Sequence, residues 1–129
     1  MTTVADVMSR DLACVGRDDP LASAARTMVS KRVGSVLVTS DGSADGVLLG
    51  ILTERDVLRA VAKGANPEAT AVREWMTEDP ATADPSTDTE EAAKVMLVGG
   101  FRHLPVVDAG RPIGMVSLRD VLSARIGRS

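Results

Sequence analysis

The sequence has one cysteine, one histidine, one tryptophan, one phenylalanine and no tyrosine. Each shortage removes a class of function. A lone Cys14 excludes a disulfide within the chain, and one cysteine with one histidine argues against a structural zinc site. Aromatic residues make up 2% of the chain and the net charge is −3, so the clustered bases and stacking rings of a nucleic-acid surface are missing. That balance does not exclude one bound nucleotide, because a local pocket can be positive in an acidic protein. No run approaches the roughly 18 apolar residues of a membrane span. The opening MTTVADVMSRD is polar and lacks a signal-peptide core, which predicts a cytoplasmic protein. No nucleophile–base pair stands out. Cys14 sits in LACVG as a small buried hydrophobe would, and His103 begins an apolar run. The expectation is therefore not an enzyme.

What the chain does have is internal repetition. VADVMSRDLA (Val4–Ala13) lies over VREWMTEDPA (Val72–Ala81) at an offset of 68 residues, Met8 to Met76. At that offset SAARTM (Ser23–Met28) meets EAAKVM, and SVLVTSDG (Ser35–Gly42) meets HLPVVDAG. GILTERDVL (Gly50–Leu58) recurs as GMVSLRDVL (Gly114–Leu122) at an offset of 64, so repeat two is shorter by four residues between Gly42 and Gly50. A hairpin loop absorbs such a change most easily.

Each repeat reads helix–strand–strand–helix, after some extended chain. In the first, Asp19 is the expected N-cap and Pro20 the first helical residue, with Leu21, Ala24, Ala25, Met28 and Val29 as the apolar stripe. In the second, TDTE (Thr87–Glu90) reads as a capping box and Gly99–Gly100 as the stop. Val-rich runs at Val36–Thr39 and Leu104–Val107 predict strands, paired through Gly/Asp turns with Val47–Leu52 and Ile113–Val116. The last helix starts at Thr53-x-x-Asp56 or Ser117-x-x-Asp120, and Val57, Leu58, Val61 and Ala62 form its stripe in repeat one. Met28, Met96 and Met115 are expected in the core, and Trp75 at a packing or dimer contact. Lys31, Arg32, Arg55 and Arg119 read as solvated helix faces or ion pairs. One repeat of about 60 residues buries too little surface to be stable alone, so the two should share a core. The fold class predicted is α/β (α+β), two small sheets each with two helices, related by a pseudo-twofold. The boundaries are residues 4–63, a polar linker at 64–71, and residues 72–126.

The ordered set DVMSRDLACV, SVLV, GILTERDVL, EWMTEDPATA, RHLPVVD and GMVSLRDVL resembles a tandem pair of CBS domains, a Bateman module, over nearly the whole chain. The resemblance implies a single stand-alone module over residues 1–129. It would sense AMP, ADP or ATP, or a relative such as S-adenosylmethionine or NAD, in clefts between the repeats, with no cofactor required. It also implies a homodimer and an unidentified regulated partner. Carried over by motif, one cleft takes Thr53 and Asp56 with Met76, Thr77, Ala81, Arg102, His103, Leu104 and Pro105. The other takes Ser117 and Asp120 with Met8, Ala13, Gly34, Ser35 and Val36. The Asp would hold ribose hydroxyls, and the Thr or Ser would lie by the phosphates. Repeat one has GSVLV where repeat two has RHLPV, so only the Asp56 cleft gains a basic pair. That cleft is expected to favour phosphorylated ligands.

Two plainer readings stand beside this one. Thr/Ser-x-x-Asp is itself a good helix start, whose hydroxyl caps and whose Asp favours the positive end of the helix dipole. A dimerising interaction module with no nucleotide would carry the same two phrases.

Overall fold

The repetition in the sequence returns as repetition in the hydrogen bonds. A computed structural model describes residues 2–126, with side chains through Ala124. The elements run α1 (Val4–Val7), β1 (Cys14–Gly16), α2 (Leu21–Lys31), β2 (Ser35–Thr39), β3 (Leu48–Thr53), α3 (Glu54–Ala62), a 3-10 turn (Val72–Glu74), β4 (Thr77–Glu78), α4 (Thr89–Gly99), β5 (His103–Asp108), β6 (Arg111–Ser117) and α5 (Leu118–Ile126). The strands lie within a residue or two of the expected ones. The length difference falls in the hairpin loops. β5 and β6 are joined by Ala109–Gly110, both at positive φ, the two-residue turn that suits strand twist. In repeat one, Ser40–Val47 spans the gap, and the Asp41 carboxylate accepts from the Ser43 N–H at 2.8 Å.

Two compact units form, and neither is a sequence repeat. One comprises residues 13–80, the other residues 1–12 with 81–129. In the first, the sheet order is β1-β2-β3-β4, with β1 parallel to β2 and the other pairs antiparallel. In the second, β5 and β6 pair antiparallel, Ala83 bridges Val106 in parallel and Ser9 bridges Met115 antiparallel. The second unit thus repeats the strand order of the first. Each repeat has given its Met-containing segment to the other's sheet: β4 comes from repeat two, and Ser9 from repeat one.

The same exchange corrects the expected helix starts. Asp19 does not cap α2; its carboxylate takes the Gly16 N–H at 2.8 Å, and the N-cap is Pro20, which has no side-chain donor or acceptor to offer. Linker carbonyls do the capping instead. Leu21 N–H reaches Thr70 O at 2.9 Å and Ala22 N–H reaches Pro67 O at 3.0 Å. In the other unit, Thr89 N–H reaches Thr2 O at 3.0 Å, the bond related to Leu21–Thr70 by the repeat offset. TDTE is not a capping box either. The Thr87 hydroxyl takes the Asp84 N–H, while Asp88 is the N-cap and accepts from Glu90 N–H at 3.0 Å. Residues 64–71 are therefore a packed part of the first unit, held further by the Arg26–Glu68 ion pair. Gly100 ends α4 in the left-handed conformation, as expected.

The buried residues form two clusters, one in each unit. Val15, Leu21, Met28, Val36, Val38, Leu52, Ala60 and Val72 make the first, with Trp75 and Met76 packed against it. Val4, Ala92, Met96, Leu104, Val106, Val116 and Val121 make the second, with Met8 and Phe101 alongside. Each fully buried Leu or Val contributes about 1.5–3 kcal/mol. Met28 and Met96 are core, whereas Met115 is half-buried. Two expected stripes are only partly buried. Val29 is exposed, and α3 meets its sheet through Val57 and the small Ala60, leaving Leu58, Val61 and Ala62 outside.

Candidate ligand-binding motifs

β3 runs straight into α3, and β6 straight into α5. The strand therefore fixes where each helix begins, and Thr53 or Ser117 is the hinge residue of that corner. The Thr53 hydroxyl accepts from Asp56 N–H at 3.2 Å and donates to Asp56 Oδ2 at 3.0 Å, and Thr53 N–H donates to the same oxygen at 2.9 Å. Asp120 N–H reaches Ser117 Oγ at 2.9 Å, and Ser117 N–H reaches Asp120 Oδ2 at 3.2 Å. Both phrases are reciprocal capping boxes. Thr53→Ala is expected to destabilise the chain by about 1 kcal/mol, measured by urea denaturation.

Capping uses much of what a ligand would want. Glu54 N–H goes to Gly34 O at 3.0 Å, and Leu118 N–H goes to Arg102 O at 2.9 Å. With Asp56 N–H and Asp120 N–H in the boxes, two of the first three N–H groups of each helix are already committed. Oδ2 of Asp56 already accepts two hydrogen bonds. Oδ1 takes no part in the box. At the single-turn α1, where no strand feeds the helix, Asp6 Oδ2 likewise accepts from the Thr3 N–H and hydroxyl, while Asp6 N–H goes to Thr3 O, so half of the box forms there. Thr-x-x-Asp alone thus marks a helix start. A strand end delivering it is what sets Thr53 and Ser117 apart.

The first unit gathers Thr53, Asp56, Met76, Thr77, Ala13, Gly34, Ser35 and Val36. Ser35 pairs with Thr53 across β2–β3, Thr77 pairs with Ile51, and Ala13 O accepts from Leu37 N–H at 2.8 Å. The second gathers Ser117, Asp120, Met8, Ala81, Arg102, His103, Leu104 and Pro105, with His103 paired to Ser117 and Leu104 to Val116. The strand starts thus lie beside the Thr/Ser-x-x-Asp phrase of their own unit. Val36, Leu104 and Pro105 are buried, Arg102 is exposed, and His103 is half-buried.

One feature of both phrases escaped the sequence reading: the glycine that opens each. A Cβ on Gly50 would stand 2.7 Å from Thr77 O and 3.0 Å from Met76 Sδ, and one on Gly114 would meet Met8. The glycines admit the exchanged methionine segments. Their signal was present, since a Met precedes each exchanged bridge at the repeat offset. Cys14 is half-buried, and burial pushes its thiol pKa up, so the thiolate is disfavoured. Among the described residues, no cluster of three His, Cys, Asp or Glu is placed to hold a metal ion. None of their helices is long and apolar enough to cross a membrane.

Two βαββα-like units completed by exchanged segments, each ending in a strand-to-helix Thr/Ser-x-x-Asp corner, define a tandem CBS pair. The CBS-domain pattern matches residues 4–63 and 72–127, and the chain belongs to that family. It is 34% identical to YhcV of Bacillus subtilis over 94% of this chain and 84% of that protein. It spans 61% of a relative from Methanopyrus kandleri and 19% of an Arabidopsis thaliana CBS protein. Among solved structures, the CBS-domain protein ATU1752 of Agrobacterium tumefaciens is 38% identical over 96% of this chain and 93% of that one, with a TM-score of 0.84. CBSX2, solved in complex with AMP, is 29% identical over 99% of this chain and 98% of its own, also at 0.84.

Proposed function

We propose that the chain is a regulatory module that binds adenine nucleotides, AMP, ADP or ATP, through its Thr53–Asp56 and Ser117–Asp120 corners. The observation that carries this is the pair of boxes at strand-fed helix starts, in a chain similar end to end to one solved with AMP. That neighbour favours a nucleotide over S-adenosylmethionine or NAD. A carboxylate would be repelled by phosphate, so Asp56 and Asp120 face the sugar. Arg102 and His103 serve the phosphates by charge-assisted hydrogen bonds. Met8, Ala13, Gly34, Ser35, Val36, Met76, Thr77, Ala81, Leu104 and Pro105 are the remaining residues that the family motif assigns to ligand binding. The module acts without catalysis, in the cytoplasm and as a homodimer. The ligand shifts its conformational equilibrium by its differential affinity, which a partner protein reads.

The test separates capping from binding. Saturating AMP or ATP is expected to raise stability by about 2.7 kcal/mol at a hundredfold excess over Kd. Asp56→Asn keeps an oxygen for the cap but puts an NH2 donor where Oδ1 would accept a hydroxyl. It should leave the unliganded melting point nearly unchanged and weaken nucleotide binding at least about tenfold. No thermal shift with any nucleotide would favour the interaction-module reading. Unchanged affinity in both Asp56→Asn and Asp120→Asn would reduce the two carboxylates to caps.

A further inference from the structure

The two Thr/Ser-x-x-Asp corners share a backbone plan and differ in charge. In each, the first N–H of the helix reaches back to the residue before the inner strand, Glu54 to Gly34 O at 3.0 Å and Leu118 to Arg102 O at 2.9 Å. Gly34 and Arg102 therefore hold one position in the two units, and Glu54 and Leu118 another. The strands then open with Ser35, paired to Thr53, and with His103, paired to Ser117. One corner thus carries Arg102 and His103 beside a half-buried leucine. The other carries glycine and serine beside an exposed glutamate.

The glutamate stands on the side from which the matching arginine departs. A Cβ on Gly34 would lie 3.5 Å from Glu54 Oε1. In the second unit that Cβ is present and belongs to Arg102. Arg55 and Arg119 occupy the same step of both helices and cancel in the comparison. Arg32, at the end of α2, lines a groove with Glu54 and offsets part of its charge. Asp56 supplies a further carboxylate, so the first corner keeps an excess of negative charge. At the second, Arg102 already balances Asp120, before His103 gains a proton.

We propose that the two corners sort adenine nucleotides by charge. Thr53–Asp56 prefers AMP, because Glu54 repels a longer phosphate chain, and Ser117–Asp120 prefers ATP through Arg102 and His103. This rests on the nucleotide reading above and assigns each corner its own ligand. Glu54 is the specificity-determining residue of the first corner. Its carboxylate is exposed and screened by water and salt, so its effect is several-fold in affinity rather than all-or-none. The grouping expected from the motif, with the basic pair serving Asp56, predicts the opposite order.

Each corner is read with the other disabled. Full-length Asp120→Asn and Asp56→Asn variants are titrated calorimetrically with AMP and with ATP in magnesium-free buffer, where ATP carries the greater negative charge. The Asp120→Asn chain is expected to bind AMP about fivefold more tightly than ATP, and the Asp56→Asn chain to bind ATP at least as tightly as AMP. Adding Glu54→Gln to the Asp120→Asn chain should raise ATP affinity about threefold and AMP affinity less, and added salt should shrink the AMP preference. Arg102→Gly in the Asp56→Asn chain should lower ATP affinity several-fold. An equal or reversed AMP-to-ATP ratio in the two chains overturns the sorting, as does loss of all binding in either one. ATP affinity unmoved by Glu54→Gln overturns the role of Glu54. An unsubstituted chain that binds no nucleotide overturns the nucleotide reading itself, and the sorting with it.

Discussion

A fragment of residues 13–80 is expected to melt in one cooperative transition, whereas a fragment cut at the repeat boundary, residues 4–63, is expected to show none. The first keeps every member of its core cluster, including Val72, Trp75 and Met76. It also keeps β4 against β3, and the Pro67 and Thr70 carbonyls that cap α2. The second loses all of these and carries instead Val4 and Met8, whose packing belongs to the other unit. Losing fully buried Val72 costs about 1.5–3 kcal/mol, and each uncapped helix start costs about 1 more. A chain of this size has only a few kcal/mol in hand. Circular dichroism during heating decides the matter. Equal cooperativity in the two fragments would mean that the exchanged segments contribute little.

Gly50→Ala should be among the most damaging single-methyl changes, lowering stability by about 2–3 kcal/mol and the melting point by roughly 10 °C. The added Cβ would sit 2.7 Å from a backbone carbonyl, that of Thr77, and β4 would have to leave β3 to relieve it. Gly114→Ala looks equivalent in sequence but should cost less, under about 1.5 kcal/mol. There the nearest atoms are the Sδ and Cγ of Met8, the far end of a flexible side chain. The ratio of the two effects is the measurement, made by thermal melts of both variants side by side. A larger loss at Gly114 would show that the Met8 segment is the more rigid of the two.

Much of the fold was legible because its signals are local. Alternating Val-rich runs, a hairpin at Ala109–Gly110 and capping at Thr53 each depend on neighbours in the chain. What escaped depended on distant residues. No local rule tells that Thr70 and Thr2 cap α2 and α4, so Asp19 and Thr87 were credited with a role that remote carbonyls fill. The stripe on α3 was real but misassigned, because periodicity cannot distinguish a face that packs inward from one left open. Ala60, which looks neutral in sequence, lets the helix approach its sheet, while Leu58 and Val61 face out. For the site, the corners and their residues were readable from two matched phrases. That the cap itself uses Asp56 Oδ2 and most of the leading N–H groups was not, since hydrogen-bond saturation is a property of geometry.

The exchange of segments also bears on dilution and on descent. A single CBS repeat of this design has nothing to complete its own sheet and must take the missing strand from a second molecule. Its folding would then depend on protein concentration. Placing both repeats on one polypeptide turns that encounter into an intramolecular one, at an effective concentration on the order of millimolar whatever the cell contains. The tandem chain has the form expected of a strand-swapped dimer whose two genes became one. It keeps the swap while escaping the mass-action penalty that a swap ordinarily carries.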